Sequence, residues 1–372
     1  MKHLTKCLWA TITLTLVAIG NAFAQAPTCN QSLTPDCLYF PALEYGIDDS
    51  NQRTTSYIDN AGATRTINVQ VRIPIGAPVP MPVMIWSHGG AEGKSNPERA
   101  MAEWSETTAR AGYLTVSIAH TPRSDGERRD LCQSIGINDL ATCEVFKHLN
   151  WDRPHDIRAV LDELTRLNAQ GPFQGTIDVT RIAVGGHSAG AGGALTVGGA
   201  LRNFTGTPVD LSDPLRRPVA FLAFSPQGPG SEGFFDTDEG RPSHSWMRMP
   251  RPVLIGTGDG DSTCKPGLEP GSCIGDTPSG RRIGFARMPP GGKYHLYVHD
   301  ADAFHGLFAL SSDKCPTKGI NQQKCDEIAR WLQSTALAFL DGHVRQDPNA
   351  LLWLQSSNVA TASRGVASWA RR

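Results

Sequence analysis

The stretch "RIAVGGHSAGAGGA", residues 181–194, decides how the chain is read. Arg181-Ile182-Ala183-Val184 is a short apolar run suited to a buried strand, and Ala189 onward is a small-residue run suited to a closely packed helix. Between them stands Gly186-His187-Ser188-Ala189-Gly190. Glycines two residues before and after a serine permit a turn too tight for side chains, which lifts the hydroxyl clear of a sheet. A bare G-x-S-x-G is a weak signal in a chain with 38 glycines. Its strand–turn–helix setting gives it weight and makes Ser188 a candidate nucleophile.

Outward from that turn, strand and helix signals alternate, which predicts an α/β fold with a mostly parallel central sheet flanked by helices. Strands are expected at 66–75, 82–86, 113–119, 181–185, 219–224, 252–255 and 294–298. Helices are expected at 98–111, from about 154 onward, and at 326–343. In the second of these Ile157, Val160, Leu161, Leu164 and Leu167 share one face. Residues 121–154 read as a long, irregular, charged insertion and 226–250 as a second long loop. The residues from Ser356 onward read as loosely tethered. With no repeat, low-complexity tract or linker, residues 25–372 are expected to form one domain.

Forty per cent of the 372 residues are hydrophobic, enough for a large core, and the formal net charge is -1. That balance points away from nucleic acid or an anionic membrane surface as partner. Lys2 and Lys6 precede an apolar run over 8–19, and Ala22-Phe23-Ala24 supplies a cleavage site. Residues 1–24 therefore read as a secretory signal peptide, and the mature protein is expected to be secreted or periplasmic without stable membrane insertion. Eight cysteines remain after Cys7, and an oxidising compartment lets them pair. The expected pairs are sequence neighbours: Cys29 with Cys37, Cys132 with Cys143, Cys264 with Cys273, and Cys315 with Cys325. No C-x-x-C occurs, which argues against a zinc cluster, and no metal is expected.

An activated serine needs a base and an orienting carboxylate. "RPVLIGTGDGDSTC" puts Asp259 and Asp261 just past a late strand, Asp259 being the first choice and Asp261 its alternative. A calcium loop is disfavoured there because the other ligand spacings are missing. "KYHLYVHDADAFHGLF" offers His295, His299 and His305; only His305 lies in the loop beyond the strand, and it is the expected base. His187 is a weaker choice, because its side chain diverges from the hydroxyl across the turn. An oxyanion needs backbone N–H donors. Ala189 supplies one, and the turn in "IWSHGGAEG" the other, from Gly90 before Gly89 or Ala91.

With these residues in hand, the chain resembles α/β-hydrolases of the dienelactone hydrolase, bacterial platelet-activating-factor acetylhydrolase-like and cutinase-like polyesterase kind. The matching pieces are "WSHGG" (86–90), "RPHDIRAVLDEL" (153–164), "GGHSAG" (185–190), "RPVLIGTGD" (251–259), "KYHLYVHDADAFH" (293–305) and "ALAFLDGHV" (336–344). The resemblance implies an α/β-hydrolase fold and a serine esterase without cofactor, with Ser188, Asp259 and His305 as its triad. It departs from the dienelactone hydrolases proper, which use a cysteine nucleophile. The substrate is expected to be a small-molecule, lipid or polymeric ester. Alternatives are a thioesterase, amidase, peptidase or acyltransferase on the same triad, or an inactive binding protein. Trp86, Trp104, Trp151 and Trp246 are weighed as walls of a substrate groove, against plain packing.

Overall fold

A computed structural model describes Cys29 and residues 36–90, 96–138, 143, 145–171, 173–205, 207–229, 245–264 and 273–372. The expected signal peptide, Ala91 and most of the 226–250 loop lie outside them. In chain order the elements are β1 (Gly46–Ile58), β2 (Thr64–Ile75), β3 (Met81–Ser87), α1 (Ala102–Arg110), β4 (Leu114–Ala119), α2 (Asp125–Ser134) and α3 (Val145–Ala169). Then come β5 (Ile177–His187), α4 (Ala189–Val197), β6 (Arg202–Asn203), β7 (Pro208–Val209), β8 (Pro218–Phe224), β9 (Val253–Gly258), α5 (Pro278–Arg281) and α6 (Ile283–Arg287). The last are β10 (Lys293–Val298), α7 (Gln322–His343), α8 (Pro348–Gln355), α9 (Asn358–Ala362) and β11 (Ala367–Arg371).

Nine strands form one sheet in the order β1-β2-β4-β3-β5-β8-β9-β10-β11. From β4 to β10 every neighbouring pair is parallel; β1, β2 and β11 join antiparallel at the two edges. The fold is thus α/β with a large, mostly parallel sheet flanked by helices. The inner strands β3 and β8 are near-continuous apolar runs because both faces are covered. In β3, Met84 and Trp86 enter the core shared with α1, α7 and α8, while Val83 and Ile85 enter the core beneath α3 and α4. Trp86, Trp104 and Trp246 are wholly buried, so they pack the interior rather than line a groove. Trp151 stacks on His155 and meets Phe204 edge-on.

Three expectations need correction. The insertion 121–154 is not irregular throughout: α2 opens on a Ser124–Glu127 capping box, and α3 starts at Val145 and runs through Pro154. The C-terminus is not loose, because β11 pairs with β10 and buries Ala367 against the core. The 13-residue strand β1 had no sequence signal, since GIDDSNQRTTSYI lies at the sheet edge with no fully buried residue. The cysteines do come together as the spacing predicts, with Cα separations of 5.1, 6.1, 5.6 and 6.6 Å. Cys37 sits under α8, where its carbonyl accepts from the Trp353 indole at 3.0 Å. Among the described residues no helix is long and apolar enough to cross a membrane.

Candidate active site

The sheet order reverses between β3 and β5: the chain leaves β3 for β4 on one side, then returns to place β5 on the other. In open parallel sheets such a switch point leaves a crevice beyond the carboxyl ends of the strands. Here β3 ends at Ser87, paired with Gly186, and β5 ends at His187. The turns His88-Gly89-Gly90 and Ser188-Ala189 therefore meet at that crevice.

Ser188 has φ 54° and ψ -122°, a backbone region that costs a non-glycine residue energy and persists only when its surroundings over-determine it. The surroundings do so. Its N–H donates to Phe224 O at 2.9 Å, extending the β5–β8 pairing, while its carbonyl accepts from Gly192 N at 3.0 Å, closing the first turn of α4. A Cβ at Gly186 would strike the Gly190 backbone, and one at Gly190 would strike the Ser87 carbonyl. Both positions must be glycine for a serine to stand here. Ser188 is itself partly exposed, whereas His187 and Ala189 are buried. Ala189 N–H opens α4, so it belongs to the unpaired, partly positive end of a helix.

His305 lies past β10 at the start of a short 3-10 turn. Its Nδ1 donates to Asp261 Oδ1 at 2.8 Å; the carboxylate is fully buried and the imidazole 19% exposed. Of the two carboxylates the sequence offered, the structure brings Asp261, the alternative, to His305, and not Asp259, the first choice. Asp259 turns outward and accepts from the Tyr297 hydroxyl, which burial and that carboxylate push up to about 12. Asp261, two residues further, turns inward because its N–H bonds back to Gly258 O at 3.1 Å. The other histidines of the motif stay apart: His295 is buried within β10 against Thr257, and His299 pairs with Ser368 at the sheet edge. His187 links the two halves of the site. Its Nε2 donates to His305 O at 2.9 Å, and the two rings lie 4.4 Å apart.

Two buried arginines escaped the sequence reading. Arg281 of α5 has Nε 3.3 Å from Asp261 Oδ1 and donates to the carbonyls of Ser225, Pro226 and Asp261. Arg153 of α3 donates to the carbonyls of His88 and Gly90, the latter at 3.0 Å. A signal for Arg153 existed: it precedes Ile157 and Val160 by four and seven residues, on the apolar face of its helix. Below the turn, His120 donates through Nδ1 to Asp156 at 2.8 Å and accepts from the Ser87 hydroxyl at 2.7 Å. Burial, with the charge of Arg153 nearby, pushes His120 down to about 4, so this pair is a neutral imidazole on a carboxylate. Burial would raise Asp156, but Arg65 and His120 outweigh it and hold the carboxyl well below the usual range. Ser87, His120 and Asp156 thus have the hydrogen bonds of a catalytic triad, yet all are closed to solvent and serve as scaffold. No family model matches the chain, and no curated protein matches it in sequence.

Proposed function

We propose that the protein is an exported serine hydrolase that cleaves carboxylic esters through an acyl-enzyme, on an α/β-hydrolase fold of the group it resembles. His305 Nε2 takes the Ser188 proton as Oγ attacks the ester carbonyl. Asp261, rather than Asp259, holds the Nδ1–H tautomer and stabilises the imidazolium that forms. The N–H groups of Ala189 and Gly90 receive the oxyanion. The alcohol departs with the proton from His305, and water attacks the acyl-enzyme by the same route to release the acid. Four cysteine pairs support export to an oxidising compartment.

The observation that carries this reading is the strained Ser188 turn tied, through His187, to a histidine that is itself bonded to a buried carboxylate. The test is to treat the purified protein with a fluorophosphonate and map the adduct by peptide mass spectrometry. A single adduct on Ser188, abolished by His305→Ala, is expected. A folded, disulfide-bonded sample that takes no adduct would refute the reading.

A further inference from the structure

An oxyanion donor works only if its N–H is aimed before the charge develops, because reorientation during the reaction would return the stabilisation. A glycine turn does not aim itself; something must hold the peptides. In the turn after β3, each of the three successive carbonyls is tied by a side chain. Arg153 binds the carbonyls of His88 and Gly90, while His88 Nδ1 donates to Gly89 O at 2.7 Å. Gly89 O and Gly90 N–H belong to one planar trans peptide and point in opposite directions. Fixing that carbonyl on the His88 side therefore fixes the direction of the Gly90 N–H. The turn also lies against the nucleophile: a Cβ on Gly89 would stand 2.8 Å from Ser188 Cβ.

The ring that holds Gly89 O is held in turn. His88 must carry its proton on Nδ1 to donate there, which leaves Nε2 as an acceptor, and the His120 N–H donates to it at 3.4 Å. The His120 ring packs 5.1 Å from that of His88 and is locked between Ser87 and Asp156. Arg153 and Asp156 stand three residues apart on α3, so one helix supports the turn by both routes. Arg153 and His88 are both buried from solvent.

We propose that Arg153 and His88 are the positioning residues of the oxyanion site: together they aim the Gly90 N–H at the carbonyl oxygen, and Arg153 does so with a two-pronged grip that lysine cannot copy. The inference rests on the serine hydrolase reading, and its test separates the two. Arg153→Lys keeps the buried cation but replaces the planar fork, whose Nη1 and Nη2 each take one carbonyl, with a single rotatable nitrogen, so the two carbonyls lose their fixed directions. Wild type and variant would be compared for p-nitrophenyl acetate turnover, inhibition by an alkyl trifluoromethyl ketone, and thermal unfolding. The ketone matters because its adduct on Ser188 carries an oxyanion.

The expected result is a cooperative unfolding transition at a lower melting temperature, still folded at the assay temperature, a KM within about twofold, and a kcat and ketone affinity reduced together by about 10–10²-fold, short of the full loss of a donor. His88→Gln, which removes the grip on Gly89 O alone, is expected to show the same kcat-only signature, and it answers the question if Arg153→Lys does not fold. A folded variant with wild-type kcat and ketone affinity would overturn the inference while Ser188 labelling in the wild type left the hydrolase reading standing. Wild-type protein that neither labels nor turns over would overturn both.

Discussion

Asp259 and Asp261 compete for one role, and replacing each by asparagine decides between them. The Asp261 carboxylate is fully buried and accepts from His305 Nδ1 at 2.8 Å, a charge-assisted bond that selects the imidazole tautomer with its lone pair on Nε2. Asparagine fits the same space but can present its NH2 to Nδ1, which inverts the tautomer and puts a proton on Nε2, where the base is needed. Loss of an orienting aspartate in this way costs about 10⁴ in rate, or roughly 5 kcal/mol of transition-state stabilisation. Arg281 loses its partner at 3.3 Å but keeps Asp276, also at 3.3 Å, so folding should survive. Asp259 only accepts from Tyr297 at the surface, so Asp259→Asn should alter the rate by less than about threefold. The substrate need not be known, because the second-order rate of fluorophosphonate labelling at Ser188 reads the activation of the serine directly. If Asp259→Asn slowed labelling as much as Asp261→Asn, the assignment drawn from the His305 contact would be wrong.

Gly190→Ala places a methyl group on the Ser87 carbonyl, where backbone cannot yield, and should cost at least about 1–3 kcal/mol of stability together with Ser188 labelling; a well-folded, fully labelled variant would contradict the close approach. Acid should weaken the fold before the carboxylates titrate. Burial holds His120 down to about 4 and His295 to about 3, so between pH 6.5 and 4 the unfolded chain binds more protons than the folded one. Stability then falls as pH falls through that window, by roughly 3 kcal/mol from His120 alone, and urea midpoints at pH 7, 5.5 and 4 would measure it. Deleting residues 364–372 removes β11 and uncovers the edge of β10, so the shortened chain should lose thermal stability and self-associate at concentrations where the full chain does not, as light scattering would detect.

Features that depend on neighbours along the chain were legible before any coordinates. The apolar runs of β3, β5, β8 and β9 announced buried parallel strands, because a strand covered on both faces needs no polar alternation. The spacing Gly186-x-Ser188-x-Gly190 announced the tight turn, since only small residues fit where α4 meets β3. The cysteine pairs were legible because each closes a short loop.

Tertiary structure decided what depends on direction and distance across the fold. Sequence order favoured Asp259 over Asp261, and only the packing of two loops shows that Asp261 is the one that reaches His305. The strands β1 and β11 exist because of what they pair with, β1 with the neighbouring β2 and β11 with the distant β10, not because of their own pattern. Arg153, His120 and Asp156 look like ordinary charges on a helix and a strand end until the sheet brings α3 beneath the turn at Gly90. There, burial forces each polar group to find a partner, and those partners are what shape the site.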